Sequence, residues 1–586
     1  MSAPYEAPLG MMRAALSQAA RAVGPALDIE TAGAVLEEAG RIAREVLSPL
    51  NQSGDAAASR LTDHGVATPA GFPEAYRRFL EGGWPTICAP AEFGGQALPM
   101  LLGAAVTEIW GGANLSFAMC PEVAAGAVEA LRMHAPPAIR KRYIPPLVSG
   151  EWTASMCLTE PHAGSDLSTL RTLAEPDGQS WRLKGRKIFI SWGDHDLAAN
   201  IIHLVLARTP GAPAGTQGIS LFLVPKRLPA DGARNDIQAV SIEHKMGIRA
   251  SPTCVMALGE HGGARGWLIG PLHGGLACLF TMVNQMRLGV GLHSTGLAER
   301  AWQLARAYAR ERRQGRGPDG RERSIIDHPD VRRMLLTMKS LTHAARCLAY
   351  HAAALLDVCG TAATAAATGP ATAAATEAAR KRAAQRLALL TPLVKAWCSD
   401  VAVEVASLAV QVHGGTGYVD DSEVSQVYRD ARIGPIFEGT NYMQAQDLLV
   451  RRVIRDAGAA LEELLAEVEQ AAREAGRRRM RLEALSEPLL AECGLLRAAA
   501  RELAARSAAE PELAGCVAYP FLQWLAVIAG GWQWALAAQS AESDLAGAFL
   551  DCARFYGSHI LPRARAHAAA VTSGTDVILT PTPAQI

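Results

Sequence analysis

Between Glu30 and Leu50, ETAGAVLEEAGRIAREVLSPL carries apolar residues at helical spacing: Val35, Leu36, Ile42 and Val46 can share one face, and Pro49 ends the pattern. Residues up to about 150 read mainly as helices in this way. Between about 151 and 272 the texture changes to short β-rich runs: RKIFISW, NIIHLVLART, GISLFLVPK, IQAVSIEH, TCVMAL and GWLIG. Turn clusters such as AEPDGQS, TPGAPAGTQG and LPADGARND separate them, so this stretch is predicted to be a compact barrel or sandwich. From Gly275 the helical period returns and persists to about 455, opening on a run long enough for one very long helix or two in line. The Ala/Thr-rich segment at 360–376, with Pro370 and flanking glycines, is predicted to be a loop. After about 456, LEELLAEVEQAAREAGRRRMRLEALSEPLL starts a further helical module. The predicted fold is mainly α with a small central β domain: residues 1–150 helical, 151–274 β, 275–455 a helical bundle, and 456–586 an additional helical domain.

Composition narrows the function classes. The 586 residues carry 57 Lys+Arg against 57 Asp+Glu, with no long run of one sign, which argues against nucleic-acid binding. Eleven scattered cysteines, with no CxxC and no histidine at metal spacing, read as small buried apolar residues of a reducing compartment. MSAPYEAPLG has neither a basic nor an apolar leader region, so the expected location is cytoplasmic. Phe521 to Ala538 is apolar enough for a membrane span. Gln523, Gly530–Gly531 and Gln533 interrupt it, and a buried or partner-facing helix is the preferred reading.

The common cofactor and nucleophile motifs are absent: no GxGxxG after a strand, no GxxxxGK[ST], no HExxH and no GxSxG. Two glycine-bearing segments stand out, MCLTEPHAGSDLSTLRT at 156–172 and VQVHGGTGYVDDSEVSQVYRDARIGPIFEGTNYMQ at 410–444. Thr159, Gly164 and Ser165 offer hydroxyls and open backbone to a polar cofactor, or form an ordinary loop in which Asp166 caps a following helix. Gly414, Gly415 and Gly417 allow backbone to approach an anion, or simply turn the chain. Glu438, between Ile436–Phe437 and Gly439, could be partly desolvated, which raises a carboxylate's pKa and suits it to act as a base.

At these residues the sequence resembles a known family. MCLTEPHAGSD, KIFISWGDHD, YARERRQGR and RDARIGPIFEGTN resemble the acyl-CoA dehydrogenase flavoproteins, in order and at matching separations across about residues 50–455. The opening YEAPLGMM and the extra tail with CARFYGSHILP resemble a longer subgroup that includes bacterial 3-methylmercaptopropionyl-CoA dehydrogenases. The resemblance implies FAD held between the β domain and the second helical bundle. Met156 to Ser165 would line the flavin, with Leu158 and Thr159 near its pyrimidine edge, and Phe189, Ile190 and Ser191 would stand where the family has Trp-Ile-Thr. Ser191 keeps a hydroxyl, whereas Phe189 keeps only an aromatic wall. Arg312 matches an arginine that contacts the FAD pyrophosphate of a neighbouring subunit, and Gln411 to Gly415 (with Gly414) match the segment that completes that site. A homodimer or higher homo-oligomer is therefore expected. Thr440 and Asn441 match residues near the adenosine half, and His328-Pro329 replaces the family's His-Gln contact, losing an amide. Arg287 matches a residue that contacts the nucleotide part of CoA, Asn284 stands where some relatives have an acidic residue, and with Ser165 and Gly439 it would border the substrate.

The activity so implied is α,β-dehydrogenation of an acyl-CoA to a trans-2-enoyl-CoA, with Glu438 as base, FAD as hydride acceptor and an electron-transfer flavoprotein as onward partner, as in fatty-acid β-oxidation. Some relatives place the base on the long helix of the second bundle, where this chain has Met286. The competing readings are an acyl-CoA oxidase using oxygen, a flavin-containing binding scaffold, and peripheral membrane contact through the C-terminal module.

Overall fold

The β-rich runs are strands in the structure, a computed structural model that describes residues 4–24, 27–360, 370–478, 482–539 and 546–586. The main sheet comprises Trp152–Cys157 (β1), Leu173–Asp177 (β2), Ser180–Ser191 (β3), Asn200–Arg208 (β4), Ile219–Pro225 (β5), Ile237–Ile242 (β6), Thr253–Leu258 (β7) and Ala264–Ile269 (β8). Its order is β8–β5–β4–β2–β3–β7–β6; β8 also pairs with β3, which closes a barrel, and β1 joins parallel to β4 with Trp152 opposite Asn200. The continuous burial of β4, broken in its apolar sequence only by His203, has a physical cause. Val205 and Ala207 point into the barrel with Phe222, Cys254 and Met256, while Ile202, Leu204 and Leu206 pack against helical residues such as Leu131, Ile144 and Met282. A strand covered on both faces needs no polar alternation.

The chain folds into two compact units, one of Met1–Gly40, Pro99–Gly112 and Val290–Ile586, the other of Arg41–Leu98 and Ala113–Gly289. They cut across the chain-order divisions. The N-terminal helix Leu9–Val23 (α1) belongs to the first unit, and two long helices, Met100–His134 (α2) and Gly275–Glu311 (α3), pass from one unit to the other. At Asn114 the backbone of α2 leaves helical geometry (φ −162°, ψ 92°). The Asn114 side chain accepts from the Phe117 N–H (3.1 Å), capping the second half of the helix.

In the first unit, Pro329–Gly360 (α4) is buried from Ser340 to Leu355 without a break, and Pro370–His413 (α5) packs on it. Arg346 at the centre of α4 donates to Glu108 (2.6 and 2.8 Å) and Glu299 (2.8 Å), and Tyr350 donates to the other oxygen of Glu108 (2.8 Å). A buried cation needs such neutralisation on every side. The predicted loop at 360–376 is corrected in its second half: Pro370 starts α5, a position where its missing N–H costs nothing, while 361–369 fall outside the described residues.

Beyond α5 the short helix Asn441–Gln446 (α6) leads towards the C-terminal module, which contains Ala459–Arg478 (α7), Glu483–Arg506 (α8) and Leu513–Gln539 (α9). Among the described residues, α9 is the one helix long and apolar enough to cross a membrane, and 72% of its most apolar stretch is buried within the protein. Two of its polar interruptions meet polar groups: the Gln533 side-chain oxygen accepts from Gln18 of α1 (2.8 Å), and Gln523 donates to Asp400 of α5. Eight of the eleven cysteines are buried, and no metal-binding group occurs among the described residues.

Candidate active site

Glu438 sits in a turn between the short helix Glu423–Ala431 and α6. Its backbone is left-handed (φ 55°), as is that of Gly439 (φ 82°). For a glutamate this conformation costs on the order of 1–2 kcal/mol, so the surroundings must impose it. They do so on the C-terminal side. Gln444 donates to the Gly439 carbonyl (3.3 Å), Thr440 caps α6 by accepting from the Met443 N–H (3.3 Å), and the Asn441 N–H reaches the Pro435 carbonyl (3.0 Å). The Glu438 side chain is half-buried, between half-buried Phe437 and exposed Gly439.

Thr440 and Asn441, matched in sequence to the adenosine half of FAD, are engaged inside the first unit. Thr440 is the helix cap. The Asn441 amide is buried and donates to Ala396 O (3.0 Å), Ser399 Oγ (3.0 Å) and Asp400 Oδ1 (2.8 Å), while its oxygen accepts from the buried Lys395 (2.9 Å). Asn441 thus anchors the turn through its side chain.

Arg312 follows α3, exposed, with its carbonyl accepting from Ile325 N–H (2.8 Å) at the base of a small hairpin. Gln411, Gly414 and Gly415 are also exposed; Gly414 has φ 59°, and nothing lies within 4 Å of where a Cβ would sit on either glycine. Tyr308 stacks on His413 (centroids 4.4 Å), which brings the end of α3 beside this glycine segment. His328 bonds the Gln314 carbonyl (2.7 Å) and so pins the same hairpin, while Pro329 opens α4 and offers no amide.

In the second unit, Met156 and Leu158 are half-buried against the helical face of the barrel, and Thr159 accepts from the Ile188 N–H (2.9 Å). Between Lys187 and Ile190, β3 carries one residue more than β7 opposite it. This bulge turns Phe189 outward with φ 58° and 60% exposure. Ile190 is buried in the barrel core, so its side chain packs inward between outward-turned Phe189 and half-buried Ser191. Ser191 is half-buried, and Ser165 lies exposed beside Asp166. Asp166 caps no helix; it closes a turn by accepting from Ser168 N–H (2.8 Å). On α3, exposed Asn284 accepts from Arg287 (3.3 Å), whose guanidinium lies over Phe280 (5.7 Å), and Met286 is buried in the apolar cluster.

Sequence reasoning missed what holds these segments. Lys187 is fully buried and donates to Leu158 O and to Glu160 Oε1, both at 2.9 Å. Glu160 also accepts from the N–H groups of Arg171 (2.8 Å) and Thr172 (2.9 Å) and from the Thr172 hydroxyl. Burial pushes the Glu160 carboxyl up, but Lys187 and these donors outweigh it and hold it below the usual range. No local motif distinguishes such a Glu–Lys pair from a surface one.

Sequence profiles for the acyl-CoA dehydrogenase N-terminal domain match residues 34–151, the middle domain 155–260 and the C-terminal domain 273–454; a profile described as acetyl-CoA dehydrogenase C-terminal like matches 459–581. The chain belongs to the acyl-CoA dehydrogenase family. It is 41% identical over 573 residues to the 3-methylmercaptopropionyl-CoA dehydrogenase of Ruegeria pomeroyi, covering 94% of each chain. It is 34% identical to the broad-specificity linear acyl-CoA dehydrogenase of Mycobacterium tuberculosis, over 76% of this chain and 73% of that one. Among solved structures, Caenorhabditis elegans ACDH-11 in complex with C11-CoA has the same fold (TM-score 0.78, 21% identity, 99% of this chain and 97% of that one). As a member of the family the protein is an FAD-dependent oxidoreductase of acyl-CoA thioesters. Its residues fit that cofactor. The outward Phe189, with Leu158, Thr159 and Ser191, suits a flat ring with polar edges, and exposed Arg312 with the uncrowded Gly414–Gly415 backbone suits a pyrophosphate.

Proposed function

We propose that Glu438 is the base of this acyl-CoA dehydrogenase, and that the half-buried, left-handed turn carrying it is the observation on which the mechanism rests. Its carboxylate takes the proton alpha to the thioester, and the backbone N–H of the same residue donates to the thioester oxygen as charge builds there. A preorganised donor of this kind contributes about 3 kcal/mol. FAD, when bound, supplies the acceptor for the hydride leaving the beta carbon. A trans-2-enoyl-CoA results. Excluding water around Glu438 raises its proton affinity in the complex, which suits it to deprotonate a weak carbon acid. Met286, apolar and buried, cannot serve as a base.

Phe189, Ser191, Leu158 and Thr159 would hold the flavin ring, with Met156, Ile190 and Ser165 contributing mainly backbone or edge contacts. Arg312 with Gln411, Gly414 and Gly415 would hold the pyrophosphate across a homodimer. Arg287, oriented by Asn284 and Phe280, would meet the nucleotide part of CoA, and Gly439 would border the thioester. The Ruegeria relative makes 3-methylmercaptopropionyl-CoA the first acyl group to try, ahead of medium and long straight chains. Electrons would pass to an electron-transfer flavoprotein, in a β-oxidation-type reaction in the cytoplasm.

Anaerobic titration with a panel of acyl-CoAs tests this. The expected outcome is flavin bleaching by one acyl class, and no bleaching in Glu438→Gln despite retained FAD. Normal turnover of that variant would sink the assignment. Stoichiometric peroxide under air would instead indicate an oxidase.

A further inference from the structure

Glu438 and Gly439 are both left-handed, and the turn they form is fastened at Asn441. What fastens Asn441 reaches into the C-terminal module. Asp400 of α5 takes the Asn441 side-chain amide on Oδ1 (2.8 Å) and, on Oδ2, the Tyr519 hydroxyl (2.8 Å) and the Gln523 amide (2.5 Å). Tyr519 and Gln523 lie one turn apart on α9. The same end of α9 holds α6 directly: Tyr442 donates to Gly515 O (3.3 Å), and Gln446 donates to Ala514 O (2.9 Å) and to the Tyr442 hydroxyl (3.0 Å).

We propose that the C-terminal module positions the base: Tyr519 and Gln523 of α9 hold Asp400, and Asp400 holds Asn441 and with it the strained Glu438–Gly439 turn. This deepens the reading of Glu438 as base and rests on it. Asp400, Asn441, Tyr519 and Gln523 are positioning residues, since none needs to touch substrate or cofactor. The physical case is one of satisfied charge. A half-buried carboxylate keeps its ionised form, and hence both oxygens as acceptors, only while donors converge on it. Burial already pushes the Asp400 carboxyl up, and the bonds from Tyr519, Asn441 and Gln523, with Lys395 nearby, pull the other way. With two donors gone, Asp400 rotates or takes up a proton, and Asn441 loses a charge-assisted partner. The left-handed turn then relaxes toward the cheaper right-handed backbone and moves the carboxylate.

The test uses full-length, FAD-loaded Tyr519→Phe/Gln523→Leu. The limiting rate of anaerobic flavin bleaching per bound flavin is expected to fall by about tenfold or more, since a base displaced by a fraction of an ångström loses its approach to the proton. The half-saturating acyl-CoA concentration and the FAD content are expected to hold, and backbone amides of residues 436–446 to exchange with deuterium faster than in the wild type. A limiting rate within twofold of wild type overturns the proposal. So does a loss confined to FAD content or thermal stability, or unchanged exchange at 436–446. If the double variant does not fold, Tyr519→Phe alone is expected to give a smaller change in the same two readouts, and no change in either overturns it. If the wild type is bleached by no acyl-CoA, the base assignment itself fails. The exchange measurement then decides the clamp alone, faster exchange sustaining it and unchanged exchange overturning it.

Discussion

At the scale of single residues, exposure separates groups that serve a ligand from groups that serve the fold. Phe189 is thrown outward by the β3 bulge and is 60% exposed, so it contributes little to the core. Phe189→Ala is expected to lower retention of FAD while changing the melting temperature of the apoprotein by no more than a degree or two. Flavin content after gel filtration and a thermal melt check both halves. Lys187 is the opposite case, fully buried and bonded to Glu160 and the Leu158 carbonyl. Lys187→Met strands the Glu160 charge in the interior, and breaking a buried pair in this way costs about 3–5 kcal/mol. Urea unfolding is expected to lose that amount, together with flavin binding by the 158–172 loop. Neither consequence was legible from residue type alone. Phe189 was found through its place in a motif, while the Lys187–Glu160 pair joins positions 27 apart and becomes visible only once the loop is folded.

At the scale of elements, α9 shows how an apolar run can be read two ways from sequence. Composition permits a membrane span, but Gln523 and Gln533 have partners waiting on α5 and α1, and Trp524 and Trp534 donate to Glu492 (2.8 Å) and to the Ser340 carbonyl (3.1 Å). Gly530 is where the helix must lie close. A Cβ there would stand 2.7 Å from the Trp397 ring and nearer still to the Tyr556 hydroxyl. Gly530→Ala is expected to destabilise by about 1–3 kcal/mol through overpacking, against a helix-propensity gain near 1 kcal/mol for leaving glycine. Chemical denaturation gives the net sign, which should be destabilising or near zero. Gly494, with nothing within 4 Å of its Cβ position on α8, is the control where Gly→Ala should stabilise.

For the whole molecule, several histidines are held neutral by burial. Burial lowers His195, His203 and His351 to about 3 and His293 to about 4, with Lys226 adding to the effect at the first two. His195 shows why the neutral form is required: its Nδ1 accepts from the Leu197 N–H (3.1 Å), which an imidazolium could not do. In the unfolded chain these rings titrate near pH 6.5. Below that value the unfolded state binds protons that the native state refuses, so stability falls as pH drops from about 6.5 toward 4 and is fully present above 7. Melting temperatures measured from pH 8 to pH 4.5 are expected to be flat at the alkaline end and to decline below about pH 6.5. A rise on acidification would contradict the neutral assignment.

By itself the sequence determined the succession of helical, β and helical segments, because hydrophobic period is a local property that each segment carries alone. It also determined the family, because four motifs keep their order and spacing along the chain. The tertiary structure alone decided which residues stand free for chemistry. It turned Ile190 inward and Phe189 outward, drew Asn441 into an internal network, and ran α2 and α3 through both compact units. It also brought Tyr519 and Gln523 to an aspartate more than a hundred residues away. These are consequences of which surfaces meet, and a one-dimensional pattern holds no record of that.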